Sequence, residues 1–273
     1  MLKIITVVAA LFLLLTVLVF IKQRSMLYQP SQFGLTNAQA TALTLEEWPD
    51  DAEYRGYLSD TPESQLTIII FHGNAGEAAN RHYYLTALSA IEARIILAEY
   101  PGYGSRPGTP SETTLVNDAQ ETINLVANSY PKEPLIVIGE SMGAGVASAA
   151  TAKSRGSIIQ GLVLITPWDS LSALARHYFW YLPTQWLLLD HYDSVQHLES
   201  FDGPVVIVVA GKDQIIPAKH ANSLYNSIST NKARFLLESA GHNNWLNFVD
   251  EQWWNELISF LISDPTNPDN HQK

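Results

Sequence analysis

The sequence predicts an α/β fold with one mostly parallel sheet that is covered by helices on both faces. Short apolar runs rich in Ile and Val alternate along the chain with segments of helical periodicity. Because these runs are continuously apolar, each is expected to be a strand buried on both faces. Strands that alternate with helices pair in parallel through helical crossovers. The chain has 273 residues, 47% of them hydrophobic, which suffices for one such core.

The predicted elements follow this alternation in order. Strands are expected at 66–71, 95–98, 135–138, 162–165, 205–210 and 235–238. Helices are expected between them, at 78–90, 115–128, 143–153 and 218–228. Residues 53–59 are predicted to add an antiparallel edge, which makes 53–262 the folded domain. Residues 263–273, with two prolines and two asparagines, are expected to be a disordered tail.

The N-terminal segment differs from the rest. Residues 4–21 carry no charge, and they lie between Lys3 and the basic pair Lys22 and Arg24. At about 1.5 Å per helical residue, such a run nearly matches the roughly 30 Å hydrocarbon thickness of a bilayer. No A-x-A motif follows it directly, so we expect residues 1–24 to be an uncleaved membrane anchor rather than a signal peptide. Basic residues flank both ends, which leaves the membrane side of the remaining chain open.

Residues 25–52 mix Pro, Gln, Asn, Gly and Ala without a clear period. A segment without periodicity does not predict a regular element, so we expect a tether between the anchor and the folded domain.

Composition excludes several classes of function. The formal net charge of −11 and the absence of a basic run argue against a nucleic-acid partner, whose phosphates would be repelled. The chain has no cysteine, which excludes disulfides, thiolate metal sites and a cysteine nucleophile. Its histidines show no metal-ligand spacing, and we expect neither a metal nor a cofactor.

A serine stands where strand 135–138 turns into the next helix. The run Gly139-Glu140-Ser141-Met142-Gly143 has the pattern G-x-S-x-G. Glycines lack Cβ atoms, so a strained turn can bring its neighbours close while it exposes the Ser141 hydroxyl. The pattern predicts a nucleophilic serine, and the alternative is a serine that only caps the helix.

Other strand ends carry polar groups, at the edge where α/β sheets bind ligands. Asp213 follows strand 205–210, and His242 follows strand 235–238. A neutral imidazole can take a proton from a serine hydroxyl, and a carboxylate can orient the imidazole ring. The predicted triad is therefore Ser141, Asp213 and His242.

The loop after strand 66–71 is rich in small residues, which allows its backbone N–H groups to face a cavity. This loop, His72-Gly73-Asn74-Ala75-Gly76, is predicted to form half of an oxyanion hole. The N–H of Met142, at the start of the helix after the serine, would form the other half.

These motifs in this order resemble the α/β-hydrolase superfamily over residues 53–262. The segments FHGNAG (71–76), YPGYGS (100–105), GTPSE (108–112) and GHN (241–243) are similar to those of the membrane-anchored "alpha/beta hydrolase domain-containing" serine hydrolases. The resemblance implies an oxyanion hole made by the N–H groups of Asn74 and Met142. It also implies that His72 supports this loop rather than acting as a second base. Pro101 departs from the arginine expected in many relatives.

The resemblance leaves two candidates for the acid of the triad. Asp169 follows strand 162–165 and is a rival to Asp213, because some hydrolases place the acid one strand earlier. Asp169 could instead cap a helix that begins near Leu171. The remaining histidines without a strand-end position are expected at the surface or in a cap: His177, His191, His197 and His220.

Residues 167–200 are predicted to form a small helical cap over the serine. This stretch is too long for a simple connection, and it is crowded with apolar and aromatic residues: Trp168, Tyr178, Phe179, Trp180, Tyr181, Trp186, Leu187, Leu188, Leu189 and Tyr192. They could line an acyl pocket, pack as ordinary core, or lie at the bilayer interface.

The sequence therefore predicts a membrane-tethered serine hydrolase. It would cleave an ester or thioester with an apolar acyl part through an acyl-enzyme on Ser141. The alternatives are a serine peptidase or amidase, and a non-catalytic binding protein with the same fold.

Overall fold

An eight-stranded sheet forms the centre of the computed structural model, which describes residues 1–31, 34–50, 52–59, 61, 64–154 and 159–263. The predicted tail, apart from Ser263, lies outside these residues. The described residues form ten strands: β1 Gln29–Pro30, β2 Glu46–Trp48, β3 Gly56–Ser59, β4 Leu66–Phe71, β5 Ala75–Gly76, β6 Ala93–Ala98, β7 Leu135–Glu140, β8 Ile159–Ile165, β9 Val205–Ala210 and β10 Lys232–Leu237.

Helices connect the strands and cover the sheet. The same residues form ten α-helices: α1 Leu2–Leu27, α2 Asn37–Ala42, α3 Tyr83–Ala87, α4 Glu112–Ser129, α5 Met142–Lys153, α6 Leu171–Tyr178, α7 Thr184–Leu187, α8 Ser194–Leu198, α9 Ala218–Ser227 and α10 Glu251–Ile262. Two short 3₁₀ turns lie at Ala78–Arg81 and Trp245–Phe248.

The strand order is β10-β9-β8-β7-β4-β6-β3-β2. The six strands from β10 to β6 are parallel, while β3 and β2 add in antiparallel fashion. The prediction of a mostly parallel sheet is confirmed. Strand β3 is antiparallel as expected, but it is not the edge, because β2 pairs on its outer side.

Strand β4 shows why the predicted strands are apolar throughout. Ile68 and Ile70 face one core, which they share with Leu257 of α10, while Ile69 and Phe71 face a second core beyond the opposite side of the sheet. Each such residue is almost fully buried and stabilises the fold by roughly 1.5–3 kcal/mol. A strand between two cores needs apolar side chains at every position.

The segment predicted as a tether, residues 25–52, instead contributes to the folded domain. Helix α2 and strand β2 lie within it, and Tyr28, Leu45 and Trp48 are buried. This segment is held by tertiary packing, because its buried side chains join the two cores of the sheet. Its elements are too short to show a hydrophobic period.

Helix α1 contains the predicted apolar run and extends over 26 residues, with none of them buried. It is the one helix of the described residues that is long and apolar enough to cross a bilayer. By length and composition it fits a membrane anchor or a signal sequence.

Three short helices, α6, α7 and α8, occupy the predicted cap between β8 and β9. Its aromatic residues divide into two groups. Trp168 and Tyr192 are buried and pack against each other, whereas Trp180 and Trp186 are about 80% exposed. Core packing thus accounts for the first pair and leaves the second at the surface.

Candidate active site

The turn between β7 and α5 holds Ser141 in a strained backbone conformation, with φ 56° and ψ −116°. A Cβ on Gly143 would lie 2.1 Å from the carbonyl oxygen of Phe71, and one on Gly139 would lie 2.4 Å from that of Gly143. Neither site admits a side chain without a backbone shift. The two glycines therefore allow the turn that the G-x-S-x-G pattern predicts.

The turn brings Ser141 into a hydrogen-bonded row with the other two predicted residues. Ser141 Oγ lies 2.9 Å from Nε2 of His242, and Nδ1 of the same ring lies 2.7 Å from Oδ2 of Asp213. The side chains of His242 and Asp213 are 9% and 2% exposed. A hydroxyl, an imidazole and a carboxylate in this order can pass a proton from oxygen to ring while the carboxylate fixes the ring.

The loop after β4 lies directly against the serine. A Cβ on Gly73 would be 3.5 Å from the Ser141 Cβ. The backbone N–H groups of Asn74 and Met142 have no hydrogen-bond acceptor within the part of the chain that the structure describes. Both are therefore available as donors to a ligand beside Ser141.

Comparisons with known proteins find similarity to hydrolases. A family model described as "Serine aminopeptidase, S33" matches residues 62–188. An uncharacterized protein of Mycobacterium tuberculosis is 33% identical over 180 residues, 65% of this chain and 63% of that protein. Lysophosphatidylserine lipase ABHD12 of Danio rerio is 25% identical over 253 residues, 84% of this chain and 66% of that protein. The esterase Pf2001 of Pyrococcus furiosus superposes with a TM-score of 0.64 and 19% identity, covering 86% of this chain and 97% of that one.

The chain is thus similar to α/β hydrolases in sequence and in fold. The match to the mycobacterial relative spans less than two thirds of that protein's length, and the likeness to the esterase structure is one of fold. The family model and the named lipase describe hydrolases, and the esterase structure shares the fold.

In the loop after β4, Asn74 is fixed by groups from two other segments. Its Nδ2 donates to the carbonyl oxygen of Leu27 at 2.9 Å. Its own carbonyl accepts from the backbone N–H of Gln29 and from the Tyr103 hydroxyl, both at 2.9 Å. Three hydrogen bonds hold the residue, so its N–H direction is set before any ligand binds.

His72 lies behind this loop and does not contact the serine. The ring is fully buried, with Nε2 3.0 Å from Oε1 of Glu99 and Nδ1 2.8 Å from the carbonyl oxygen of Gly73. Glu99 Oε2 also accepts from the N–H of Ala78. These contacts agree with the supporting role that the family resemblance implies for His72.

Sequence reasoning missed two carboxylates that brace the site. Glu99 directly follows β6, and a carboxylate at the end of a predicted strand is the signal that could have identified it. Glu140, next to Ser141, accepts from the Tyr83 hydroxyl at 2.7 Å and pairs with Arg81. Both residues tie the turns around Ser141 to the helical segment that follows β5.

Asp169 is engaged elsewhere in the molecule. Its Oδ1 lies 2.8 Å from Nδ1 of His220, and it accepts from the N–H of Ser170. Burial raises the pKa of Asp169, but these hydrogen bonds outweigh it and leave the pKa lower than usual. The structure thus brings Asp213, and not Asp169, to His242. Helix α6 is capped by the Ser170 side chain rather than by Asp169.

The expectation of a surface or cap position for His220 is wrong. The residue lies in α9 and is 4% exposed, because its ring pairs with Asp169 in the interior. His177, His191 and His197 lie in the cap segment, and none of the three is buried.

Proposed function

We propose that this protein is a membrane-anchored serine hydrolase that cleaves esters or thioesters with an apolar acyl part. The observation that carries the proposal is the continuous hydrogen-bonded row from Ser141 through His242 to Asp213. The carboxylate is buried and the ring nearly so, while the hydroxyl stands on a strained turn beside two available N–H donors.

The proposed reaction has two halves. Ser141 Oγ attacks the carbonyl carbon while its proton passes to Nε2 of His242, and Asp213 stabilises the imidazolium that forms. The N–H groups of Asn74 and Met142 stabilise the negative oxygen of the tetrahedral intermediate. Collapse of the intermediate breaks the ester bond, and the leaving alcohol or thiol takes the proton from His242. Water then attacks the acyl-enzyme by the same route, which releases the acid and restores the serine.

A fluorophosphonate probe tests the nucleophile. The wild-type protein should be labelled covalently, and Ser141→Ala should abolish the label while the far-ultraviolet circular dichroism stays unchanged. Ser148→Ala is a matched control, because this buried hydroxyl in α5 bonds only to the carbonyl of Ala144. Labelling that persists in Ser141→Ala would refute the proposal.

An aminopeptidase is a second candidate, favoured by the description of the matching family model. The two activities need different substrate groups, since an aminopeptidase binds a charged α-amine and an esterase binds an apolar acyl chain. Turnover of p-nitrophenyl esters with no turnover of aminoacyl anilides would support the ester hydrolase. The reverse pattern would support the peptidase.

Membrane anchoring by α1 belongs to the same proposal. The helix is about 39 Å long at 1.5 Å per residue, which exceeds the hydrocarbon thickness and allows some tilt. Its apolar residues are exposed on most sides, as expected for a helix that lipid would surround.

A further inference from the structure

Helix α1 packs on the hydrolase domain along one stripe. Thr16, Val19, Gln23 and Leu27 are half-buried, and their spacing of three to four residues places them on one face. Gln23 also bonds to the cap, since its Nε2 donates to the carbonyl oxygen of Leu187 and its Oε1 accepts from the N–H of Leu189. The helix therefore has one face toward the cap, and its other faces are free to meet lipid.

A bidentate ion pair fixes the C-terminal end of this helix. Arg24 Nε and Nη2 donate to the two carboxylate oxygens of Asp190 at 2.9 and 3.0 Å. The Asp190 side chain is only 5% exposed, and its Oδ1 also accepts from the N–H of Glu112 at the start of α4. A bidentate pair of this kind sets orientation as well as distance.

A cavity of about 230 Å³ lies between α1 and the cap. Val19, Phe20 and Leu27 line it from α1, and the cap contributes Leu174, Ala175 and Leu187 among others. Pockets for drug-sized ligands measure about 300–1,000 Å³, so this space suits one slender chain rather than a whole lipid.

The cavity walls also touch both loops beside the proposed nucleophile. The carbonyl of Leu27 accepts the hydrogen bond from Asn74 in the predicted oxyanion loop. On the other side, the hydroxyl of Tyr178 donates to the carbonyls of Gln214 and Ile215, in the loop that carries Asp213. Two residues that line the cavity, Leu27 and Tyr178, therefore connect its walls to the loops that carry Asn74 and Asp213.

We propose that this cavity binds the acyl chain of a one-chain lipid ester, with α1 as one wall, so that the chain enters from the bilayer alongside the helix. The proposal rests on the serine hydrolase and the retained anchor proposed above. We infer an acyl chain as the occupant because α1, which lipid acyl chains would surround, forms one wall of the cavity. The cavity is apolar and has the size of a single chain. Trp180 and Trp186, exposed on the same cap, suit the interface where the ester group of such a lipid lies.

The test uses the full chain in lipid nanodiscs and a matched pair of variants. Val19→Trp fills the cavity, whereas Val17→Trp adds the same side chain at a 44% exposed position of the same helix that does not line it. Ala175→Trp fills the cavity from the cap side and leaves the sequence of α1 unchanged.

The readout is the ratio of kcat/KM for p-nitrophenyl decanoate to that for p-nitrophenyl acetate. We expect Val19→Trp and Ala175→Trp to lower this ratio about tenfold or more. The decanoyl chain would lose its pocket, and the binding of even one methylene in such a pocket changes kcat/KM by about that factor. The Val17→Trp ratio should stay at the wild-type value. An unchanged ratio in both cavity variants overturns the proposal.

A binding measurement separates this inference from the proposed function. Ser141→Ala protein is irradiated with a diazirine analogue of palmitic acid, and cross-linked peptides are mapped by mass spectrometry. Cross-links in α1 and α6 that Val19→Trp removes support the cavity even if no ester is turned over, in which case the proposed function alone fails. Cross-links that persist in Val19→Trp would overturn the proposal that a lipid occupies the cavity. Hydrolysis of an S-palmitoyl peptide without hydrolysis of 1-palmitoyl-lysophosphatidylcholine would overturn it as well.

Discussion

At the scale of single residues, the orientation of His242 depends on how firmly Asp213 is held. One carboxylate oxygen bonds to the ring, while the other accepts the N–H groups of Ile215 and Ile216 at 2.8 and 2.7 Å. These backbone bonds prevent the carboxylate from turning away. The ring is then held with its other nitrogen toward Ser141.

Asp213→Asn tests this arrangement. An amide presents a donor or a weaker acceptor to the ring, which favours the wrong tautomer, and the corresponding change in serine proteases lowers kcat by about 10⁴. We expect a loss of similar size in ester turnover, with the melting temperature little changed. Asp169→Asn is the control, and it should retain most activity because Asp169 bonds to His220. Equal losses in the two variants would contradict the assignment of Asp213.

Gly143→Ala tests the steric basis of the turn. The added methyl would lie 2.1 Å from a backbone carbonyl oxygen, so the turn has to shift. Overpacking typically costs about 1–3 kcal/mol, and we expect a clearly lower melting temperature together with loss of probe labelling. Gly145→Ala in the same helix meets only side chains, at 3.1 Å or more, and should be milder. A Gly143→Ala protein with wild-type melting and labelling would show that the turn tolerates a Cβ.

At the scale of elements, the start of α4 is joined to the cap by hydrogen bonds. The Glu112 carboxylate accepts the N–H groups of His191 and Tyr192 at 2.6 and 3.0 Å. Burial raises the pKa of Glu112, but the nearby His197 ring, whose Nε2 lies 3.9 Å from Oε1, and the hydrogen bonds from these two N–H groups outweigh it and lower the pKa below its usual value. The charged form therefore stabilises the contact between cap and domain.

This lowered pKa predicts a pH dependence of stability. A carboxyl with a lower pKa in the folded state contributes its stability fully above its unfolded pKa, about 4.3, and loses it as the pH falls through the folded pKa. The wild-type melting temperature should therefore drop below about pH 4.3, and Glu112→Gln should flatten that drop while lowering the value at pH 7. Glu256→Gln, at an exposed position of α10, should leave the profile unchanged. Parallel profiles for wild type and Glu112→Gln would exclude this contribution.

The sequence predicts an element when the burial of that element leaves a regular apolar pattern. The predicted strands 66–71 and 205–210 coincide with β4 and β9, because strands buried on both faces must be apolar throughout. Strand β2 and helix α2 were missed, because elements of three and six residues are too short to show a hydrophobic period. The candidate site could be predicted at strand ends, whereas the burial of His220 and Glu99 depends on partners distant in the sequence.

At the scale of the whole molecule, the apolar helix and the predicted oxyanion loop are joined through a short strand. Strand β1 follows α1 at once and pairs with β5, which lies in the loop that carries Asn74. Gln29 and Ser31 donate backbone hydrogen bonds to Asn74 and Gly76. A displacement of α1 therefore acts on the predicted oxyanion loop through two residues of backbone, without a flexible tether between them.

This contact links the membrane to the predicted oxyanion loop only if α1 remains in the membrane. Charged residues at the centre of α1 test whether it does. Each arginine at the middle of a spanning helix costs roughly 2.5–3.5 kcal/mol on insertion scales, so Leu11→Arg combined with Leu14→Arg should prevent stable insertion. We expect the wild-type chain to stay in the membrane pellet after alkaline carbonate and to be released by detergent, while the doubly charged variant appears in the supernatant. Leu11→Ile with Leu14→Ile keeps the apolar surface and should stay in the pellet. Carbonate release of the wild type, or a mature chain that lacks α1 by N-terminal sequencing, would mean that α1 is a targeting signal, and the cavity beside it would then lose a wall.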